Sequence, residues 1–242
     1  MIVQIDAGNS RFHWRCLDGT GRPLPGASAE GAGVYHEPAE WPDADGVTKV
    51  ELASVAGYRK HQWLLEELGR FSGATIDEAT ARSFQAGVRN AYPDPSQMGV
   101  DRWLAMIGAH HHFPGGVIVV DAGTAVTVDY VDPAGVHLGG YILPGLSMML
   151  SGLDRDTGRV SVTRQLEWGA EPGRSTGACV NAGLAWLWQG MASELERDRE
   201  RMGLARIVAT GGDAAGLVAV SPAALVHCPE LVFLGMDRYW GR

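Results

Sequence analysis

Positive charge is scarce in this chain of 242 residues, and lysine is scarcest of all. Lysine and arginine number 20 against 28 aspartates and glutamates, a formal net charge of −8, and only Lys49 and Lys60 are lysines. That balance disfavours nucleic acid or an anionic membrane as partner, since both call for a basic surface. No apolar run reaches the roughly 18 residues of a membrane-crossing helix. Asp6 lies within the first strand-like run, so no basic-then-apolar leader is read there. Cys16, Cys179 and Cys228 are single and widely spaced, which speaks against a disulfide framework or a CxxC zinc site and for reduced thiols in a cytoplasmic protein. Common active-site signatures are missing too. Neither lysine stands in a P-loop, no GxGxxG follows a strand-like run, and HExxH is absent. Gly173-Arg174-Ser175-Thr176-Gly177 matches GxSxG, but no strand precedes it, so it does not read as a nucleophile elbow. His110-His111-His112 reads as an exposed helix end, because adjacent helical side chains diverge and cannot converge on one metal.

What is present is an ordinary globular composition, 45% hydrophobic and 20% charged, long enough for one to two domains. Short apolar runs bounded by glycine predict buried strands at Ile2–Ile5, Val50–Val55, Val117–Val120 and Ile207–Thr210. Two of them share a longer grammar. Ile2–Ile5 leads into Asp6-Ala7-Gly8-Asn9-Ser10 and then alternates as Phe12, Trp14, Cys16. Val117–Val120 leads into Asp121-Ala122-Gly123-Thr124 and then alternates as Val126, Val128, Tyr130. One strand–turn–strand unit per half predicts two similar lobes, 1–114 and 115–242, parted at the breaker cluster Phe113-Pro114-Gly115-Gly116. Helices are predicted over His61–Phe71, Val100–His111 and Thr176–Met202, the last with a solvated charged end from Glu194 to Arg201. The stretch from Gly19 to Gly46 reads as loop with one strand, and Trp186 and Trp188 as core or dimer interface, with core the default.

Glycine turns let a backbone approach a ligand and offer its N–H groups to phosphate oxygens. Asn9, Ser10 and Thr124 add uncharged donors. Asp6 and Asp121 repel phosphate unless a cation intervenes, as Mg²⁺ does when it joins carboxylate, water and phosphate oxygens. The two turns together predict a cleft between the lobes that holds a nucleoside triphosphate. A further segment, Tyr92 to Arg102, places Gly99 before a helix start at Asp101-Arg102. Asp101 suits a base for an attacking hydroxyl, and the Arg102 fork suits an acidic substrate group.

These residues resemble the type III pantothenate kinases, of the acetate and sugar kinase, chaperone and actin superfamily. The resemblance rests on Asp6-Ala7-Gly8-Asn9-Ser10, Ala53-Ser54-Val55, Asn90-Ala91-Tyr92-Pro93, Gly99-Val100-Asp101-Arg102, Asp121-Ala122-Gly123-Thr124-Ala125, Gly139 to Gly145, Ser175-Thr176-Gly177 and Thr210-Gly211-Gly212-Asp213. Ser10 departs from a frequent threonine but keeps the hydroxyl. The resemblance implies an α/β fold of two ribonuclease-H-like, actin-like lobes, a homodimer, and ATP-dependent phosphorylation of pantothenate to 4′-phosphopantothenate. It implies Asp101 as proton acceptor and ATP contacts from Asp6, Ala7, Gly8, Asn9, Ser10, Arg11, Phe12, His13, Thr124, Gly211 and Gly212. Pantothenate would meet Tyr92, Gly99, Val100, Asp101, Arg102 and Thr176, the last closing the site from one subunit or the other. Asp121 would help bind potassium or ammonium, with Mg²⁺ accompanying ATP. The alternatives are a sugar or acetate kinase of the same superfamily and a non-catalytic transcriptional accessory factor.

Overall fold

The structure, a computed structural model, describes residues 1–26, 29–157, 168, 171–221 and 225–242. The chain forms two compact units, Met1–Gly108 with Leu231–Arg242, and Ala109–Glu230.

The first unit opens with β1 (Ile2–Ala7), β2 (Arg11–Leu17), β3 (Glu30–Val34) and β4 (Lys49–Ser54), followed by α1 (Tyr58–Leu68) and β5 (Thr75–Glu78). The sheet order is β3-β2-β1-β4-β5; the first three strands run antiparallel and β1, β4 and β5 parallel. Phe12, Trp14 and Cys16 are buried at alternate positions of β2, as the sequence predicts. Gly33 and Gly31 of β3 stand opposite Phe12 and Trp14, where a Cβ would come within 2.2 and 2.6 Å of the rings. Glycine therefore makes room here for large aromatics: Phe12 stacks on Trp41 at 5.0 Å and meets Tyr35 at 5.5 Å and Trp63 at 6.0 Å. A small hairpin of β6 (Phe84–Gln85) and β7 (Val88–Arg89) turns through Ala86 and Gly87, both at positive φ, as a two-residue hairpin turn requires. A 3₁₀ turn at Pro95–Gln97, capped by the Asp94 carboxylate, leads to α2 (Val100–His112). Trp103, Leu104 and Ile107 are buried on this helix as expected, and His110 to His112 form its last turn.

The second unit repeats the pattern with β8 (Val117–Ala122), β9 (Ala125–Val131), β10 (His137–Pro144), α3 (Leu146–Thr157), α4 (Thr176–Met202), β11 (Arg206–Thr210), α5 (Ala214–Val220) and β12 (Leu225–His227). Its sheet runs β10-β9-β8-β11-β12, again three antiparallel strands followed by a parallel set. The fold class is thus α/β with two mixed sheets of one topology, matching the two similar lobes expected from the repeated grammar and the ribonuclease-H-like fold that the resemblance implies. Helix α4 begins after the Ser175 cap and stops at Gly203, whose left-handed φ of 65° lets its N–H reach back to Arg199 and Glu200 carbonyls. Leu184, Trp188, Ala192 and Leu195 form its buried face. Trp188 joins the core as expected, whereas Trp186 is 72% exposed.

The expected division at 114/115 differs at the C-terminus. Helix α6 (Leu231–Tyr239) belongs to the first unit, because it crosses α2 at two glycines. A Cβ on Gly108 would fall 2.5 Å from the Leu231 carbonyl oxygen, and one on Gly235 would collide with that of Leu104. Arg15 binds Asp237 at 2.7 Å and Arg242 pairs with buried Glu51, fastening the chain end to the first sheet. No helix among the described residues is long and apolar enough to cross a membrane.

Candidate active site

In the first unit the turn after β1 carries Asp6 to Ser10. Asp6 pairs across the sheet with His13, and the Ala7 carbonyl accepts from the Val55 N–H at 3.0 Å. The His13 imidazole is held below its usual range, first by desolvation and then by the Arg11 charge. Asn9, Ser10 and Arg11 are exposed, but Ala7 and Phe12 are fully buried. Of the expected ATP contacts, those two offer main chain only, because their side chains are committed to the core. Two residues that sequence reasoning missed also touch this turn. The Tyr35 hydroxyl donates to the Gly8 carbonyl at 2.6 Å, and the Lys60 ammonium donates to the Asn9 carbonyl.

The segment leading into α2 explains the spacing of Gly-x-Asp-Arg. A Cβ on Gly99 would lie 2.6 Å from Asp101 Oδ1, so a larger residue there would push that carboxylate from its place. Asp101 Oδ1 accepts from the Arg102 N–H at 2.7 Å, and the residue is half-buried in the first helical turn. Arg102 is buried; its Nη1 donates to the Tyr92 hydroxyl at 3.1 Å, and its guanidinium lies 5.8 Å from the Tyr92 ring centre. Tyr92 is fixed in turn by its N–H to Asn90 Oδ1 at 2.9 Å. Val100 is buried, so its side chain serves packing and only its backbone is available to a ligand. Tyr92, Gly99, Asp101 and Arg102 are thereby brought together as expected.

In the second unit Asp121, next to last in β8, lies between Thr127 of β9 and Thr210 of β11. Gly211, at φ 90°, packs so closely that a Cβ there would lie 2.4 Å from Asp121 Oδ1 and 2.6 Å from the Ala122 carbonyl oxygen. The Asp213 N–H closes the same turn on the Ala122 carbonyl at 2.8 Å, and the Gly145 N–H reaches the Thr124 carbonyl at 3.0 Å. Asp121, Thr124 and Gly211 therefore share one locality, with Gly212 beside it in sequence. The Ala122 and Thr124 carbonyls there are each engaged by a backbone N–H, and Asp121 is the carboxylate of the group. A cavity of about 320 Å³ adjoins Thr124, lined also by Ser147, Met148, Ser151, Gly152 and Arg155 of α3. The four-residue spacing of Ser147, Ser151 and Arg155 was a signal available in the sequence. Thr176 is the exposed first residue of α4, and Ser175 of the GxSxG match is its cap, accepting from the Ala178 N–H at 3.3 Å.

Residues 2–198 match the family described as type III pantothenate kinase. The chain is 41% identical over 240 residues to the type III pantothenate kinase of Marinobacter nauticus, covering 98% of this chain and 97% of that one. Among solved structures it resembles a Campylobacter jejuni protein named for the Baf family of transcriptional activators, with TM-score 0.60, 19% identity and coverage of 98% and 96%. It also resembles a Sinorhizobium meliloti protein named for 2-dehydro-3-deoxygalactonokinase, with TM-score 0.56, 15% identity and coverage of 98% and 97%. Those two likenesses concern the fold. The match over most of the sequence means that this chain belongs to the type III pantothenate kinase family.

Proposed function

We propose that this protein transfers the γ-phosphoryl group of ATP to the primary hydroxyl of pantothenate, giving 4′-phosphopantothenate on the way to coenzyme A. The near-full-length similarity to a type III pantothenate kinase carries this conclusion. In our reading Asp101 accepts the hydroxyl proton as the new O–P bond forms and the bond to the β-phosphate oxygen breaks, with ADP as leaving group. Such transfers depend mostly on alignment and charge neutralisation. Gly99 and Val100 contribute backbone to the pantothenate site. Tyr92 offers its hydroxyl there, and Arg102, behind it, supplies positive charge for the substrate carboxylate.

ATP phosphates take N–H groups and hydroxyls from the Asp6 to His13 stretch, and Thr124, Gly211 and Gly212 make further nucleotide contacts. Mg²⁺ arrives with ATP. Asp121 would hold potassium or ammonium, and such an ion would supply positive charge beside the phosphates. A homodimer is supported by apolar surface in the second unit: Tyr141 and Ile142 of the edge strand β10 are 61% and 63% exposed, with Met148 and Trp186 also exposed. Thr176 completes the partner's pantothenate site in this arrangement. Three free cysteines accord with a cytoplasmic location.

A coupled ATP-consumption assay against pantothenate, glucose and acetate, in sodium buffer with and without added potassium or ammonium, tests these points. Turnover is expected with pantothenate alone and is expected to rise with either added cation. Preference for glucose or acetate would identify a different kinase of the superfamily, and no turnover with any substrate would favour the accessory role. An absent cation response would remove the role given to Asp121.

A further inference from the structure

Lysine is the rarest charge in the chain, and the two copies have different employment. Lys49 is engaged by Glu51 at 3.1 Å and Asp77 at 3.2 Å. Lys60, in the first turn of α1, directs its ammonium to the carbonyl of Asn9 and lies 5.4 Å from the centre of the Tyr35 ring. The Tyr35 hydroxyl occupies the preceding carbonyl, that of Gly8. We infer that Tyr35 and Lys60 are positioning residues for the nucleotide, a pair that aims two successive N–H groups of the first turn at phosphate. The inference rests on assigning ATP phosphate to the Asp6–His13 stretch.

The physical basis is the trans peptide plane. Fixing the Gly8 carbonyl points the Asn9 N–H the opposite way, and fixing the Asn9 carbonyl does the same for the Ser10 N–H. Two adjacent N–H groups turned out together make an anion-binding concavity. A hydrogen bond to a carbonyl also polarises its peptide unit and strengthens the N–H on the other side. Burial first, and then the Asp6 charge, push the ionisation of Tyr35 far up, so its hydroxyl remains a donor at any working pH. The pair is itself rigidly held. Tyr35 is buried against Phe12 and Trp63, the latter at 5.9 Å. The next residue, His36, sits at φ 65° in the left-handed region, with its imidazole 5.5 Å from Trp63.

Steady-state kinetics and equilibrium MgATP binding of the full chain and its Tyr35→Phe, Lys60→Met and Lys60→Arg variants test the inference. Tyr35→Phe and Lys60→Met each remove one hydrogen bond and should raise the KM and Kd for ATP about five- to tenfold. Their kcat and KM for pantothenate should stay at wild-type values, and Lys60→Arg should recover most of the ATP affinity. Unchanged ATP parameters in both variants would overturn the inference. So would an equal loss across ATP, pantothenate and kcat, the mark of general support, or failure of arginine to substitute for lysine. Wild-type protein that binds no ATP would bring down the assignment beneath it, a failure visible without any variant.

Discussion

The two units carry the same strand order and the same Asp-Ala-Gly turn, yet they support that turn by different means. In both, the alanine carbonyl accepts from a backbone N–H arriving from the parallel strand beyond: Val55 to Ala7 in the first unit, Asp213 to Ala122 in the second. The residue after the glycine marks the divergence. Asn9 gives its carbonyl to a lysine side chain, whereas Thr124 gives its carbonyl to the backbone of Gly145. A turn propped by main chain is insensitive to side-chain change and intolerant of any added Cβ. One propped by side chains has the opposite properties, so it can be tuned without being broken.

The largest expected consequence is at Gly145. A Cβ there would lie 2.3 Å from the Gly123 carbonyl oxygen and 2.5 Å from that of Thr124, both backbone, so Gly145→Ala must displace the turn. We expect a loss of about 3 kcal/mol in chemical unfolding, together with loss of the cation response if Asp121 moves with the turn. A smaller effect separates the buried polar groups of the second unit. Burial alone would raise the Asp198 carboxyl, but hydrogen bonds from Arg201 and from Tyr130, the latter at 2.7 Å, hold it below the usual carboxylate range. A group depressed on folding stabilises above its unfolded value of about 4 and loses that contribution as pH falls through the lower folded value. Asp198→Asn should therefore be less stable than wild type in urea at neutral pH, with the gap shrinking below pH ~4. A gap independent of pH would refute the assignment. The smallest effect belongs to Gly8→Ala. Its added Cβ meets one atom, the Arg11 carbonyl oxygen at 3.3 Å, and stability should change by no more than about 1 kcal/mol. Equal responses of Gly8→Ala and Gly145→Ala would erase the contrast between the turns.

Much of this was legible in the sequence where local chemistry dictates structure. Helix α4 has the predicted limits because a serine cap and a left-handed glycine bracket it. The two Asp-Ala-Gly turns follow short apolar strands, and their repetition foretold the repeated sheet. Helix α1 starts at Tyr58 rather than the expected His61, because its cap is Gly57, which offers no side-chain signal. The one strand expected between Gly19 and Gly46 is β3, whose limits were hidden by Gly31 and Gly33, residues that ordinarily argue against a strand and here leave space that Trp14 and Phe12 fill. Helix α6 joins the first unit through contacts no periodicity reveals. Tyr35 and Lys60 were missed for the same reason: their partners in the turn lie 27 and 51 residues away in the chain.

Asp101 is where spacing, geometry and proposed chemistry meet, so its removal is the most direct test. Single-turnover and steady-state phosphorylation of pantothenate should be compared for wild type and Asp101→Asn, with MgATP affinity measured on both proteins. A fall in kcat of at least ~10²-fold with ATP affinity nearly unchanged is the expected result, the usual cost of losing a general base. Wild-type turnover by Asp101→Asn would contradict it and remove this carboxylate from the reaction.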